Sequence, residues 1–182
     1  AKWAVSLDDT NEYAHWTLGI IQYYRRKPDL AIAELRHAVE LNPNCSLAYG
    51  SLGSILSEYG DPQESIKNNE IAIRSNPKDP SIFFRFVGLA LAHFSAGRYS
   101  EASMWARKSV NRKPGWRGGH AVLGASLAQL DLLEEAKEVV DNYLEFFPRE
   151  TISDLRKVMV IAGRSDHVHR LEEGLRKAGL PE

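Results

Sequence analysis

A pattern of residues that returns at a fixed spacing dominates this chain. The first copy runs from Asn11 to Pro43 and contains a Leu-Gly pair at 18–19. The pair returns at 52–53, and Pro77 follows Pro43 by 34 residues. A fixed period in this range is typical of proteins that stack short units, because one unit cannot bury its apolar face alone. The sequence therefore says much about architecture and little about a specific biochemical act.

Two further copies follow at a slightly different step. The third carries Leu89-Ala90 and Pro114, and the fourth carries Leu123-Gly124 and Pro148, again 34 residues later. The step from the second copy to the third is 37 residues, so three extra residues lie between Pro77 and Ala90. We predict that they lengthen the first helix of the third copy by about one turn.

Each copy has the pattern of a helical hairpin. In the first copy we expect a helix from about Glu12 to Tyr24. Pro28 can open the next helix, where its missing N–H is not needed. Ala31 and Leu35 then share one face of that helix. The helix should end at Asn42-Pro43, because the residue before a proline avoids the helical conformation. In the second copy, the polar Ser65 and Asn69 in core slots predict local looseness or a hydrogen bond.

We predict one domain over residues 1–182, and its first residues predict a longer parent protein. Ala1 falls in the middle of the pattern, so residues 1–10 are expected to end a truncated upstream repeat. After the fourth copy, Thr151 can cap a helix that reaches about Ala162, and Ser165 can cap a last helix that Gly179 ends. Such a pair would close the end of the stack. The expected full copies are 11–44, 45–78, 79–115 and 116–149, followed by the capping helices at 150–182.

Composition excludes several classes of protein. The chain is 43% apolar and 26% charged, which is typical of a globular domain, and its net charge of −1 provides no field for nucleic acid or an anionic membrane. The longest apolar run, Val158 to Ala162, is too short to cross a bilayer. The single cysteine, Cys45, excludes an internal disulfide and favours a reducing compartment. We therefore expect a cytoplasmic protein.

The repeated residues resemble the tetratricopeptide repeat (TPR) family, whose units carry a large residue, Leu-Gly, a second large residue, and then Ala, Ala and Pro. The likeness covers residues 1–148. Departures include His15 and His120, where Trp or Tyr is usual, and Ala90 for Gly. The resemblance implies an all-α, right-handed superhelical solenoid of TPR hairpins, with four full repeats, one partial repeat and a C-terminal capping pair.

A finer resemblance concerns the parent protein. The segments 79–110, 151–157 and 171–182 resemble the C-terminal TPR region of bacterial class III adenylate cyclases. That likeness implies a non-catalytic region that regulates, dimerises or localises a cyclase in cyclic AMP signalling. The rival hypothesis is an adaptor of an unrelated complex with no cyclase attached. An enzyme would need a clustered acid–base or metal site, and the sequence offers no candidate.

The resemblance implies a groove lined by the first helix of each repeat. The groove would bind a protein or peptide, with Trp16 and Tyr24 as anchors. Alternatively, these aromatic residues pack against neighbouring helices or the missing upstream repeat. The groove lacks a run of Lys, Arg and Asn, so it does not resemble the carboxylate-clamp members of the family. The predicted lining residues are Tyr13, Trp16, Ile20, Tyr23, Tyr24, Phe84, Val87, Leu91 and Phe94.

A basic patch is the second candidate surface. No acidic residue occurs from Ala102 to Leu130, and six follow between Asp131 and Glu145. The patch could dock an acidic partner or the acidic face of another copy. The alternative is a solvated face, with cations that favour the C-terminal end of a helix. Its residues are Arg107, Lys108, Arg112, Lys113 and Arg117.

The sequence supplies no metal or cofactor motif. His167 and His169 are two positions apart and would point to different sides of a helix. Neither HExxH nor Cys–His ligand spacing occurs, and there is no P-loop or GxGxxG. Cys45 precedes a helix and is expected to be a capping-region residue rather than a nucleophile. We expect neither metal nor cofactor, and we assign three further histidines to core slots: His15, His93 and His120.

Overall fold

A computed structural model describes residues 8–158 and 166–182 of the chain. Within these residues the secondary structure is α-helical, and the helices pack in sequence order. Each of the first four helix pairs forms a hairpin, and α1, α3, α5 and α7 also pack against one another in turn. The result is an all-α solenoid of helical hairpins. The helices are α1 (Glu12–Tyr24), α2 (Pro28–Leu41), α3 (Ser46–Tyr59), α4 (Pro62–Ser75), α5 (Ile82–Ser95), α6 (Tyr99–Arg112), α7 (Arg117–Gln129), α8 (Leu133–Phe146), α9 (Ile152–Val158) and α10 (Asp166–Lys177).

Local sequence signals explain where these helices begin and end. The Asn11 side chain accepts hydrogen bonds from the backbone N–H groups of Tyr13 and Ala14, which caps α1. Asp61 caps α4 in the same way, and proline opens both α2 and α4. The second helix of every hairpin ends two residues before a proline, because the residue preceding a proline avoids the helical region. These prolines are Pro43, Pro77, Pro114 and Pro148.

The core forms where the Leu-Gly face of one helix meets the small residues of the next. Leu18 and Leu123 are buried on first helices, while Ala31 and Ala136 are fully buried on the facing second helices. A Cβ atom added at Gly19 would lie 2.8 Å from Cγ of Leu35, so glycine permits the close approach of α1 and α2. Small residues therefore set the hairpin spacing.

The polar residues of α4 are held by hydrogen bonds. The Ser65 hydroxyl donates to the carbonyl oxygen of Gly53 at 2.7 Å, and the Asn69 amide donates to the carbonyl oxygen of Ser65 at 3.0 Å. Both side chains are fully buried. Because buried polar groups are costly without partners, these bonds explain how two polar residues occupy core slots.

The prediction that the three extra residues lengthen a helix is wrong. Helix α5 has 14 residues, as does α3, whereas the segment between α4 and α5 (residues 76–81) is longer than the segments before α3 (42–45) and α7 (113–116). Asp79 accepts a hydrogen bond from the backbone N–H of Ser81 at 2.8 Å. This turn, together with Pro80, delays the start of the helix.

The last helices pack on the end of the stack. Helix α10 lies against α7 so closely that a Cβ atom at Gly174 would be 2.9 Å from Cα of Ala125. The backbone N–H of Ile152 donates to the carbonyl oxygen of Pro181 at 2.8 Å, which ties α9 to the end of the chain. The predicted extension to Ala162, the predicted cap at Ser165 and most of the predicted upstream repeat (residues 1–7) lie outside the described residues. Across the described ranges, no helix combines the length and apolar character needed to cross a membrane.

Replacing Leu123 with alanine should lower the free energy of unfolding by about 2–5 kcal/mol, because the change leaves a cavity in the core. Leu123 is only 2% exposed and belongs to the main apolar cluster. Urea unfolding followed by circular dichroism measures the loss. The matched control is Leu132→Ala, since Leu132 is 44% exposed, and it should change stability by less than about 0.5 kcal/mol. Equal losses would contradict the assignment of Leu123 to the core.

Candidate functional site

A cavity of about 410 Å³ opens along the first helices of the four hairpins, and we call it the groove. Its lining is mainly apolar and aromatic, with serines on one helix and a few charged groups. Helices α1, α3, α5 and α7 all contribute, so the groove crosses the stack of hairpins. The lining residues are Ile20, Tyr23, Tyr24, Ser51, Ser54, Ile55, Ser57, Glu58, Phe84, Arg85, Val87, Gly88, Leu91, Trp116, Arg117 and Gly118.

Six of the nine predicted lining residues contribute to this groove, and three lie elsewhere. Trp16 donates from Nε1 to the Ser51 hydroxyl at 2.9 Å and packs against two apolar clusters, so it joins neighbouring repeats. Phe94 is fully buried and contacts the ring of Tyr99, which makes it a core residue rather than an accessible anchor. Tyr13 is exposed outside the groove. The predicted stripe was too long, because the groove follows only part of each helix.

An aromatic cluster forms one wall of the groove. The ring centroids of Phe84 and Trp116 are 4.6 Å apart at an interplanar angle of 71°, and Phe83 stacks on Phe84 at 4.4 Å. Phe84 is 39% exposed. Helical periodicity missed Trp116 because this residue precedes α7 and follows a turn at Pro114-Gly115. A large aromatic residue next to such a turn was the available signal.

The Tyr23 phenol on α1 and the Glu58 carboxyl group on α3 form a pair in the groove, on different helices from the aromatic wall. The Tyr23 hydroxyl lies 3.0 and 3.2 Å from the two carboxylate oxygens of Glu58, and donates to them. Burial raises the pKa of Glu58 to about 7, although the Tyr23 hydrogen bond and the charge of Arg26 act in the opposite direction. Burial, with the nearby Glu58 charge, also raises the pKa of Tyr23. Sequence reasoning missed Glu58, since an isolated acid on a helix is usually a solvated one.

A single arginine lies among the apolar residues of α5. Arg85 is 9% exposed, and its side chain passes over Gly50, where an added Cβ would be 2.1 Å from the Arg85 Nε. Burial lowers the pKa of Arg85, and the charge of Asp79 partly opposes that shift. The predicted stripe contained Phe84, Val87 and Leu91 and passed over this residue. The small residue at position 50 was the signal that a large side chain occupies the space above it.

The residues of the predicted basic patch have different surroundings. Arg117 lines the groove, where it contacts Glu150 at 3.1 Å and lies 3.8 Å from the ring centroid of Phe147. On α6, Arg107 pairs with Glu135 at 3.3 Å, and Lys108 lies 3.9 Å above the ring of Trp105. The remaining members, Arg112 and Lys113, are exposed. Docking of an acidic partner on this patch stays a prediction.

The histidines in the first and fourth repeats make equivalent contacts. A ring nitrogen of His15 lies 3.0 Å from the carbonyl oxygen of Asp9, and one of His120 lies 2.7 Å from that of Pro114. Each carbonyl lies six residues earlier, in the slot where the preceding repeat ends. His15 also contacts Glu34 at 2.8 Å. In the described part of the chain, no group of three or more His, Cys, Asp or Glu residues is arranged to hold a metal ion.

Comparisons with known proteins define the fold. No protein-family model matches the sequence, and neither does any curated protein. Solved structures do match. PilW, described as a widely conserved type IV pilus biogenesis factor, gives a TM-score of 0.77 at 19% identity, covering 96% of this chain and 81% of that one. MamA gives a TM-score of 0.69 at 24% identity, and the match covers 81% of this chain and 85% of that one. YrrB, described as a TPR protein with an unusual peptide-binding site, gives a TM-score of 0.66 at 17% identity. That match covers 97% of this chain and 89% of that one. The chain is a helical solenoid of TPR hairpins.

Replacing Glu58 with glutamine should stabilise the chain more at pH 8 than at pH 5. The pKa of Glu58 is raised in the fold from its ordinary 4.5 to about 7. This shift contributes stability that is complete below pH 4.5 and is lost as the pH rises through about 7. Glutamine is neutral throughout and still accepts the Tyr23 hydrogen bond. The gain at pH 8 should be on the order of 1–3 kcal/mol, measured by urea unfolding.

The control for this experiment is Glu134→Gln, because Glu134 is exposed in the first turn of α8. Its replacement should change the unfolding free energy by less than about 0.5 kcal/mol, as is usual for an exposed surface position. A Glu58→Gln effect that is independent of pH would show that the Glu58 carboxyl titrates as an ordinary solvated one.

Proposed function

We propose that this chain is a non-catalytic protein-interaction scaffold whose groove binds an apolar peptide or helix. The observation that carries the proposal is the 410 Å³ groove with exposed aromatic residues on its rim, notably Tyr24 at 72% and Phe84 at 39% exposure. When a partner covers large aromatic side chains around a concave site, their burial favours binding.

The dimensions of the site favour a chain segment over a compact small molecule. Residues from four successive first helices line the groove, and neighbouring packed helices are about 8–10 Å apart. Three such steps amount to about 25–30 Å, which an extended peptide of about eight or nine residues would span. The serines of α3 offer hydroxyl groups to a peptide backbone, while the aromatic wall offers apolar contacts.

The descriptions of two structural neighbours are compatible with a binding function for this fold. YrrB is described as having a peptide-binding site, and PilW as a factor in pilus biogenesis. These properties belong to those proteins. The YrrB description supports the view that a solenoid of this fold can bind a peptide, whereas the partner of this chain has to be argued from its own groove.

For the parent protein we propose a bacterial, cytoplasmic adenylate cyclase, in which this region would regulate, dimerise or localise the enzyme for cyclic AMP signalling. The support is the sequence resemblance in segments 79–110, 151–157 and 171–182. The alternative is an adaptor of an unrelated complex.

An antibody against this region, used for precipitation from the source organism, distinguishes the two proposals for the parent. We expect recovery of a longer chain that converts ATP to cyclic AMP, identified by mass spectrometry and a cyclase assay. A recovered parent without a cyclase domain would overturn the cyclase proposal and favour the adaptor.

Replacing Tyr24 with alanine should weaken peptide binding by about tenfold or more, because exposed aromatic residues at the rim of a site are frequent hot spots. The ligands are peptides selected on the intact chain from a displayed library of random peptides of about 12 residues, somewhat longer than the groove requires. Their affinities are measured by fluorescence anisotropy. The melting temperature should change little, since Tyr24 is mostly exposed.

Tyr13→Ala provides the matched control. Tyr13 is an exposed tyrosine on the same helix, and it lies outside the groove. Its replacement should leave peptide affinity unchanged. If both variants lose affinity equally, or if neither does, the groove is not where these peptides bind.

A further inference from the structure

Arg85 is a charged side chain without an obvious role in the fold. It is nine-tenths buried, yet it forms no hydrogen bond or ion pair within residues 8–158 and 166–182. Arg85 is one of the residues that line the groove, on the third of its four helices. A guanidinium removed from bulk water without a partner costs free energy, so its position indicates a role other than folding.

The other charged groups of the groove are already engaged. Glu58 accepts hydrogen bonds from Tyr23, and Arg117 pairs with Glu150. Asp79 affects Arg85 only through its electrostatic field, without a hydrogen bond between the two side chains. Among the charged residues of the groove lining, Arg85 is therefore the one that lacks a hydrogen-bonding partner within residues 8–158 and 166–182.

The chain makes specific room for this arginine. Any side chain larger than that of glycine at position 50 would collide with the Arg85 guanidinium, because an added Cβ would lie 2.1 Å from Nε. On one side of Arg85 along the stack lie Ile20 and Ile55, and on the other side lies the aromatic wall with Trp116. The charge thus lies partway along a mainly apolar lining.

We propose that Arg85 binds the carboxylate of an aspartate or glutamate side chain in the middle of an apolar peptide segment. The proposal rests on the proposed function and names the chemistry of its ligand. A guanidinium can form two parallel hydrogen bonds to a carboxylate, and such bonds strengthen where apolar walls exclude water. Because Arg85 is on the third of four lining helices, the segment must continue on both sides, which favours an internal side chain over a chain terminus.

This role differs measurably from a structural one. An arginine that supports the fold would lower the free energy of unfolding when it is replaced. An unpaired, buried arginine kept for a ligand should leave the unfolding free energy unchanged or raised when methionine, of similar length, replaces it. Arg85→Met should therefore melt at or above the temperature of the unmodified chain.

The experiment uses two displayed libraries of random peptides, again of about 12 residues, on the intact chain. One library is fused through its C-terminus, so it presents no free terminal carboxylate, and the other has a free C-terminus. We expect the first library to yield apolar sequences with one internal Asp or Glu. Changing that acid to Asn or Gln in a synthetic peptide should weaken binding to the unmodified chain by about tenfold to a hundredfold.

A double-mutant cycle then assigns the contact. On Arg85→Met, the same Asp→Asn or Glu→Gln change in the peptide should have little effect on affinity. Arg112→Met is the matched control, since Arg112 is exposed on α6, and it should retain the full sensitivity to the peptide's acid. An equal loss on all three chains would overturn the Arg85 contact.

The remaining outcomes separate the two proposals. Selected peptides that lack an acid but lose affinity on Tyr24→Ala would overturn the carboxylate proposal while supporting the groove. Peptides obtained only from the library with a free C-terminus would overturn the internal side chain as the ligand. Peptides that do not respond to Tyr24→Ala at all would overturn the proposed function itself, and a large drop in stability of Arg85→Met would assign this residue to the fold.

Discussion

Each hairpin requires its two helices to approach one another closely, and the stacking of the repeats follows from that approach. Gly19 lies so near Leu35 that a side chain at position 19 would collide with it, and Gly53 has the same relation to Asn69. Fully buried alanines such as Ala31 complete the contact from the second helix. Because neighbouring hairpins must stack to cover the remaining apolar faces, this local spacing fixes the step of the whole solenoid.

The same step places functional groups from different repeats in contact. Trp16 bonds to Ser51, and Tyr23 bonds to Glu58, each pair being 35 residues apart. Arg117 and Glu150 are 33 residues apart. These separations are close to the repeat period, so equivalent helix positions meet across each junction. A substitution at such a position should therefore affect both the packing between repeats and the lining of the groove.

How far the sequence predicts this molecule depends on the range of the interaction concerned. Prolines, caps and Leu-Gly pairs act within one or two turns, and they predicted the hairpins and most helix ends. The loop before α5 was mispredicted, because the extra residues allow either a longer helix or a turn, and the Asp79–Ser81 hydrogen bond selects the turn. In the groove, six lining residues agree with the stripe that the family resemblance implied, whereas Tyr13, Trp16 and Phe94 lie outside it. Glu58, Arg85 and Trp116 were missed, since their exposure depends on which helices meet and at what angle.

Two of the residues that escaped prediction, Glu58 and Arg85, are also costly to the fold. A partly buried Glu58 whose pKa is raised to about 7 and a buried, unpaired Arg85 both oppose folding at neutral pH, while the apolar core around them favours it. Natural proteins tend to keep such costly groups where a site needs them, because the stability lost there can be offset elsewhere. In this chain both groups lie in one groove, whose lining is mainly apolar and aromatic. The cost at Arg85 is more simply explained by a ligand that pairs with its guanidinium than by the requirements of the solenoid.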